Sequence, residues 1–389
     1  VGYLRQLKKL PFNDIIQLHF LTFENPPYPE NEVYGMIIEQ FLPAFHYGDA
    51  IGNSTLSFHR FLVEKGIESR IIAMTIDECL KDRAIFFKDY KDNPDPESLK
   101  ILHFAIPSEL TDFFLHVKGK KAMIYHNITP SSFFVDFSDQ LVHLTDEGRK
   151  HLERLSDCFD ISIADSGYNA AELRTLTFRN VHVSPLMVNL EDYDAPYSEA
   201  YYNLFKDERK NIIFVGRITP NKKIEDLIKV LFFYKKYLSP SIRLIVAGNI
   251  DTLPGYFFAV QDLAARFYLT SEDIVFIGHI PFDELLAVYR LGDVFLSMSE
   301  HEGFCLPLIE SCYFQIPVAA YDAGAVSETL AGAGVLFKEK KYDAAAGLVE
   351  QVLFNEELRT KLKSLQVERI KKYKNDSEPG KLLALLKDM

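Results

Sequence analysis

Two short strings hold most of the chemistry open to this chain. The first is Ser299-Glu300-His301-Glu302-Gly303-Phe304-Cys305-Leu306-Pro307-Leu308-Ile309-Glu310. It follows an apolar run, Val294 to Met298, and leads into residues that read as a helix from Leu308 onward. Gly303 lets backbone approach a ligand closely, and the unpaired N–H groups at a helix start form an anion site. Glu302 precedes the helix and Glu310 lies in its early turns. Carboxylates accept hydrogen bonds from vicinal hydroxyls, which a sugar or a ribose offers. Taken singly, each glutamate reads equally well as a charge that complements the helix dipole or as a solvated helix residue.

The second string, Val215-Gly216-Arg217-Ile218-Thr219-Pro220-Asn221-Lys222-Lys223, also ends an apolar run. Arg217 can clamp a phosphate in a bidentate fork, and Lys222 adds a point charge. Gly216 permits a sharp turn; alone, the string is equally a solvated basic turn. His126 ends the run Ala122 to His126. It can donate a hydrogen bond to charge developing in a transition state, or be satisfied by a neighbouring backbone group. The loop His46 to Asn53 contains Gly48, Asp49 and Gly52, placed to approach a phosphate or an acceptor. Asp49 serves as an acceptor-side base or as a helix cap. The same loop is a broken form of the dinucleotide fingerprint, and no acidic residue ends the run at Met74, which argues against a dehydrogenase. Asp192-Tyr193-Asp194 has the spacing of a metal-binding pair, but lies in an acidic stretch outside any strand and reads as solvated. No divalent metal and no cofactor are expected.

These strings need elements to hold them. Short apolar runs at 36–42, 70–74, 101–105, 122–126, 161–164 and 181–183 read as strands, with a helix over about 54–65 closed by Gly66. The rhythm repeats with strands at 211–215, 243–247, 274–277, 294–296, 317–320 and 335–337, and helices at 224–237 and about 258–267. Alternating elements with near-continuous apolar strands predict an α/β protein with parallel sheets covered on both faces. Ligands of such sheets bind at the carboxyl ends of the strands, where both strings fall. The expected division is residues 1–190 as one Rossmann-like domain, with 1–35 as an extension, and 211–370 as a second. The polar, acidic stretch 191–210 links them, and 371–389 forms a helix crossing back to the first. The two sheets are expected to face each other across a cleft that closes about the linker.

The whole-chain figures agree. At 389 residues the chain has room for two or three domains of about 100–200 residues. A formal charge of -12 argues against a nucleic-acid binder, though not against one local basic site. Four scattered cysteines are too few for a disulfide scaffold or zinc cluster and read as reduced, which points to a cytoplasmic setting. No apolar run reaches the length of a membrane span, and the first residues lack a signal-peptide core. Leu4, Leu7, Leu10, Ile15 and Leu18 opposite Arg5, Lys8 and Lys9 suit either a membrane-surface helix at the inner face of the membrane or a stretch packed on the domain.

Taken together, VGRxxPxK and, about 80 residues later, SxxEGFxxPxxE resemble the retaining GT-B glycosyltransferases of family four. The intervening pieces keep the family's order: 244–248, 275–278, 285–293, 317–319 and 324–329. The likeness covers the second half; the first half shares only the glycine-containing loop and the Tyr125-His126-Asn127 string. The resemblance implies that Arg217 and Lys222 bind the donor diphosphate. Glu302, with the amides of Gly303, Phe304 and Cys305, would hold the transferred sugar, and Glu310 the ribose. Gly216 and Gly248 would close on the donor, and His279 and Ile280 would meet the base. His126 would lie at the reacting sugar, and Gly48, Asp49 and Gly52 near the phosphates or acceptor. Cys305 stands where the family usually has glycine and narrows that pocket. The expected activity is transfer of a hexose from a nucleotide-diphosphate sugar, UDP-linked before GDP-mannose, to a glycan, glycolipid or lipid-linked hydroxyl in bacterial surface polysaccharide synthesis. An epimerase or phosphorylase on the same fold, and a non-catalytic nucleotide-sugar binder, are the competing readings.

Overall fold

The structure, a computed structural model, describes residues 36–92 and 98–389. The N-terminal basic stretch and its membrane-surface reading therefore lie outside the described residues. Strands β1 (Ile37–Phe45), β2 (Glu68–Ile76), β3 (Ile85–Phe86), β4 (Leu99–Phe104), β5 (Lys120–Tyr125), β6 (Ile161–Ala164) and β7 (Val181–Val183) form one parallel sheet. Its order is β3-β2-β1-β4-β5-β6-β7. Strands β8 (Lys210–Val215), β9 (Ile242–Ala247), β10 (Ile274–Gly278), β11 (Val294–Ser297), β12 (Val318–Tyr321) and β13 (Val335–Phe337) form a second, also parallel. Its order is β10-β9-β8-β11-β12-β13. In both sheets the order reverses beside the first strand, between β1 and β4 and between β8 and β11. Such a reversal opens a crevice at the carboxyl ends of the two strands. The α/β class and the pair of Rossmann-like sheets are as the sequence predicts.

Helices α1 (Ala50–Glu64), α2 (Glu109–His116), α3 (Asp139–Arg154) and α4 (Gly167–Thr175) accompany the first sheet. Helix α5 (Glu199–Phe205) precedes β8; α6 (Ile224–Tyr237), α7 (Pro254–Arg266), α8 (Phe282–Leu291), α9 (Leu306–Tyr313), α10 (Val326–Leu330) and α11 (Tyr342–Phe354) accompany the second. Helices α12 (Glu356–Asp376) and α13 (Pro379–Lys387) end the chain. Leu382, Leu383 and Leu386 of α13 pack with Ile38, Phe58, Leu62, Leu99 and Ile101 against the first sheet, so the chain returns to the domain where it began. Tyr373 of α12 fixes this return by donating its hydroxyl to the Leu186 carbonyl at 2.5 Å.

Three local expectations change. β1 continues through Pro43, because β1 pairs with β4 only as far as Phe41, leaving that edge with no ladder bond for a proline to break. Helix α1 starts at Ala50, four residues earlier than expected. Asp49 is its N-cap, accepting from the amides of Ile51 and Gly52 at 3.1 and 3.0 Å. Gly52 thus lies inside a helix and is no loop residue; a Cβ there would sit 3.3 Å from both the His46 carbonyl and the Phe45 ring. Finally, the stretch 191–210 is partly built into the core. Its turn Leu190–Asp194 buries Leu190 and Tyr193 among Leu186, Leu286 and Ile309.

Candidate functional site

The crevice between β8 and β11 gathers the two strings. Gly216 and Gly248 end neighbouring strands β8 and β9, and their backbones meet: a Cβ on Gly248 would lie 1.8 Å from the Gly216 carbonyl oxygen. With φ at +157°, only glycine fits there. That approach sets where the chain leaves β8 for Arg217. The Arg217 side chain is exposed and makes no ion pair among the described residues. Asn221 then sews the strings together. Its Nδ2 donates to the His301 carbonyl at 3.2 Å, and its own carbonyl accepts from the Glu300 amide at 2.8 Å. This places Lys222 Nζ at 2.7 Å from each carboxylate oxygen of Glu302. The pair is nearly buried, with 15% and 5% of the side chains exposed.

Behind it, Lys340 holds the end of β11 by donating to Asp226, Glu300 and the Met298 carbonyl, each within 2.9 Å. Gly324 presses against the backbone of Glu302, whose carbonyl would be 2.4 Å from a Cβ there. Cys305 sits at the N-cap of α9 with φ +70°, in the left-handed region that explains why glycine is usual at this place in the resembled family. Burial, and then the Glu302 carboxylate beside it, push its thiol well above the ordinary range.

Glu310 is differently placed from the sequence expectation. Its side chain is buried, and both oxygens accept from tyrosines: Tyr193 at 2.5 Å and Tyr289. Burial raises its pKa while the two hydroxyls lower it. Phe304 likewise points inward, packing near Tyr373, so only its backbone can face a ligand. Ile280 packs against the second domain's core and His279 is exposed.

The first domain closes over this crevice. Gly48, at φ +77°, lies so near His279 that a Cβ would be 3.0 Å from its ring; the Tyr47 ring stands edge-on to the same imidazole. Asp49, as the N-cap of α1, is occupied by helix amides. His126 is buried with both ring nitrogens engaged, Nδ1 by Asp165 Oδ2 at 2.8 Å and Nε2 by His103 at 3.0 Å. His103 in turn meets Gln40 at 3.2 Å. Burial holds His103 neutral, well below the ordinary histidine range, and raises the Asp165 carboxyl, which the His126 ring then lowers. As placed, the His126 ring offers the cleft no free nitrogen.

Further contacts across the crevice involve side chains to which sequence reasoning gave no role. His301 Nε2 meets Asn127 Oδ1 at 2.6 Å, and Asn127 takes φ +74°. Ser166, the N-cap of α4, donates to the Gly303 carbonyl at 2.7 Å. Glu328 of α10 accepts from the amides of Gly167 and Tyr168 at the start of α4. His301 and Asn221 stood inside the quoted strings and Asn127 beside His126. Ser166 and Gly303 lie 137 residues apart, with no local signal to join them.

Residues 202–369 match the family model of glycosyl transferases group 1. Among curated relatives, the GDP-mannose-dependent alpha-mannosyltransferase of Mycobacterium tuberculosis is 27% identical over 212 residues, covering 52% of this chain and 50% of that protein. The O-antigen chain mannosyltransferase RfbU of Salmonella typhimurium is 30% identical over 153 residues, 38% of this chain and 40% of that one. The serotype-specific mannosyltransferase WbdA of Escherichia coli is 23% identical over 173 residues, 44% of this chain and 21% of that one. The chain thus spans from about a fifth to about a half of the length of these relatives. Among solved structures, sucrose-phosphate synthase from Thermosynechococcus elongatus superposes with a TM-score of 0.70 at 17% identity, covering 90% of this chain and 99% of that one. WaaG, a glycosyltransferase involved in lipopolysaccharide biosynthesis, gives 0.64 at 13%, covering 90% and 99%. Residues 202–369 thus resemble the glycosyl transferases of group 1, and the chain as a whole shares the two-sheet GT-B fold of these solved structures.

Proposed function

We propose that the chain is a retaining hexosyltransferase that uses a nucleotide-diphosphate sugar and glycosylates a hydroxyl of a surface glycan or a lipid-linked acceptor. The observation that carries this reading is the Lys222–Glu302 pair beside exposed Arg217 in the crevice between β8 and β11. Arg217 and Lys222 supply positive charge for a diphosphate, and Glu302 accepts hydroxyl hydrogens of the sugar. The acceptor oxygen bonds to the anomeric carbon as the bond from that carbon to the phosphate oxygen breaks. The acceptor's proton passes to the departing phosphate on the same face, so configuration is kept. Lys222 and Arg217 stabilise the charge gathering on the leaving diphosphate, and the proposed reaction needs no divalent metal. The three curated relatives described above carry mannosyltransferase names, one of them GDP-mannose-dependent. The proposed donor is therefore GDP-mannose in preference to a UDP-sugar. The role assigned to Glu310 becomes conditional on the donor: a ribose must share its carboxylate with Tyr193 and Tyr289.

The test begins with thermal unfolding against GDP and UDP. Stabilisation follows the logarithm of ligand over Kd and reaches about 2–3 kcal/mol at a hundredfold excess. GDP-mannose consumption is then followed with Glu302→Gln and Lys222→Ala. Loss of turnover of at least about a hundredfold in both supports the reading; turnover equal to the parent in both refutes it. Release of product with inverted configuration refutes the retaining mechanism alone.

A further inference from the structure

Glu302 sits on a loop whose residues on either side are each held by the first domain. Before it, the His301 ring meets the Asn127 carboxamide, Nε2 to Oδ1 at 2.6 Å. After it, the Gly303 carbonyl accepts from the Ser166 hydroxyl at 2.7 Å. Asn127 follows the end of β5 and Ser166 the end of β6, so two neighbouring strand ends of the first sheet close on one short segment of the second domain. The packing there is as close as the hydrogen bonding. A Cβ on Gly303 would lie 2.7 Å from the Asn127 Cβ and 3.1 Å from Asn169 Nδ2. Gly303 does not have a positive φ, so its own conformation does not call for glycine; the approach of the first domain does.

The first domain is built to make these contacts. Asn127 holds φ +74°, a left-handed conformation that asparagine tolerates better than most residues. Its Nδ2 donates to Asn169 Oδ1 at 2.8 Å and to Glu172 Oε2 at 3.3 Å. Glu172 is in turn held by the Tyr125 hydroxyl at 2.8 Å and by Arg149. With the amide hydrogens of Asn127 facing acceptors, Oδ1 is the atom left for His301, whose Nε2 must carry a proton and donate it. Ser166 is buried and accepts from the Asn169 amide at 3.1 Å, which leaves its hydroxyl hydrogen for Gly303. Inside the second domain, Asn221 ties the loop at Glu300 and His301, on the strand side of Glu302. Ser166 ties it on the helix side, from across the crevice.

We infer that Asn127 and Ser166 are positioning residues: they hold His301 and Gly303, and through them set where the Glu302 carboxylate stands. The inference rests on the sugar-holding role proposed for Glu302. The nucleotide then binds to groups of the second domain, whereas the sugar is held in register only when the first domain is closed on the loop. A displacement of about 1 Å at such a group costs about a hundredfold in rate.

Asn127→Gly tests this without straining the backbone, because glycine adopts φ +74° freely; Ser166→Ala removes the second contact. Each variant is expected to lower kcat at saturating GDP-mannose by at least about tenfold, with calorimetric Kd for GDP within about threefold of the parent. Hydrogen exchange of the backbone over residues 299–306, read by mass spectrometry, should quicken by at least about tenfold in both. Parent-like kcat in both variants overturns the inference. So does GDP affinity lost to the same extent as kcat, which would mean that the donor site itself had been damaged. If the parent consumes no GDP-mannose, the proposed function fails by itself and exchange alone decides: faster exchange in the variants upholds the hold on the loop, and unchanged exchange overturns it.

Discussion

His301 makes a pH prediction that can be worked through. It is 7% exposed, wedged between the Asn127 carboxamide and the rings of Phe133 and Tyr168. Burial, partly offset by the nearby Glu302 and Glu172 carboxylates, lowers its pKa from 6.5 to about 4. The folded state therefore holds a neutral ring over a range in which the unfolded chain is protonated. Between pH about 6.5 and about 4 the unfolded state binds more protons, so stability contributed by the neutral ring is complete above this window and is lost as pH falls through it. The displacement corresponds to about 3 kcal/mol. His301→Gln keeps an amide donor within reach of Asn127 and removes the titration. Urea unfolding at a series of pH values, parent against variant, should show stability of the parent falling by about 3 kcal/mol more than that of the variant across the window. His103, also held neutral by burial, titrates in both proteins and cancels in the difference. Parallel curves would refute the reasoning, since they would mean that His301 gains its proton as readily folded as unfolded.

Other outcomes follow from single contacts. Gly248→Ala sets a Cβ 1.8 Å from the Gly216 carbonyl; the strand ends must part, at a cost of about 3 kcal/mol or more, and both unfolding temperature and nucleoside diphosphate affinity should drop. Arg217→Ala removes an exposed, unpaired side chain, so stability should stay within about 0.5 kcal/mol while calorimetric affinity for the nucleoside diphosphate falls by at least about tenfold. Tyr193→Phe takes one of two donors from buried Glu310 and should cost about 1.5–3 kcal/mol. Glu310 already has a raised pKa and the loss raises it further. Its carboxylate form is thus penalised on folding, and the variant should lose stability more steeply than the parent as pH rises above the carboxylate range.

How far the sequence reached depended on how local the cause was. The inner strands were legible because β4, β6, β9 and β11 are buried along their whole length, so β9 reads as the unbroken apolar run Leu244 to Ala247, whereas the two-residue edge strand β3, half-exposed, left no such run to read. Helix α6 was legible to the residue, Ile224 to Tyr237, because its amphipathic pattern and preceding Pro-Asn-Lys turn are contiguous. The Lys222–Glu302 crevice was legible because each string ends a strand and strand order decides where strand ends meet. What stayed hidden is what depends on distant partners. Asp49 was ambiguous until its side chain was seen on the Ile51 and Gly52 amides. Tyr193 looked like part of a solvated acidic pair, yet it turns inward to Glu310 across 117 residues, while Asp192 and Asp194 stay exposed. His126 was expected to face the reacting sugar, but its neighbours Asp165 and His103 come from other strands and absorb both nitrogens.

The return of α13 to the first sheet bears on the order of events during synthesis. Domains generally fold as they emerge from the ribosome, the earlier one first. Here Ile38, Phe58, Leu62 and Ile101 share their cluster with Leu382, Leu383 and Leu386. While residues 210–376 are still being made, one face of the first sheet must wait uncovered or be shielded by a chaperone. The domain translated first is thus the last to be finished. A ribosome stalled before residue 382 should display a first domain that proteases cut and that becomes resistant only when α13 is released.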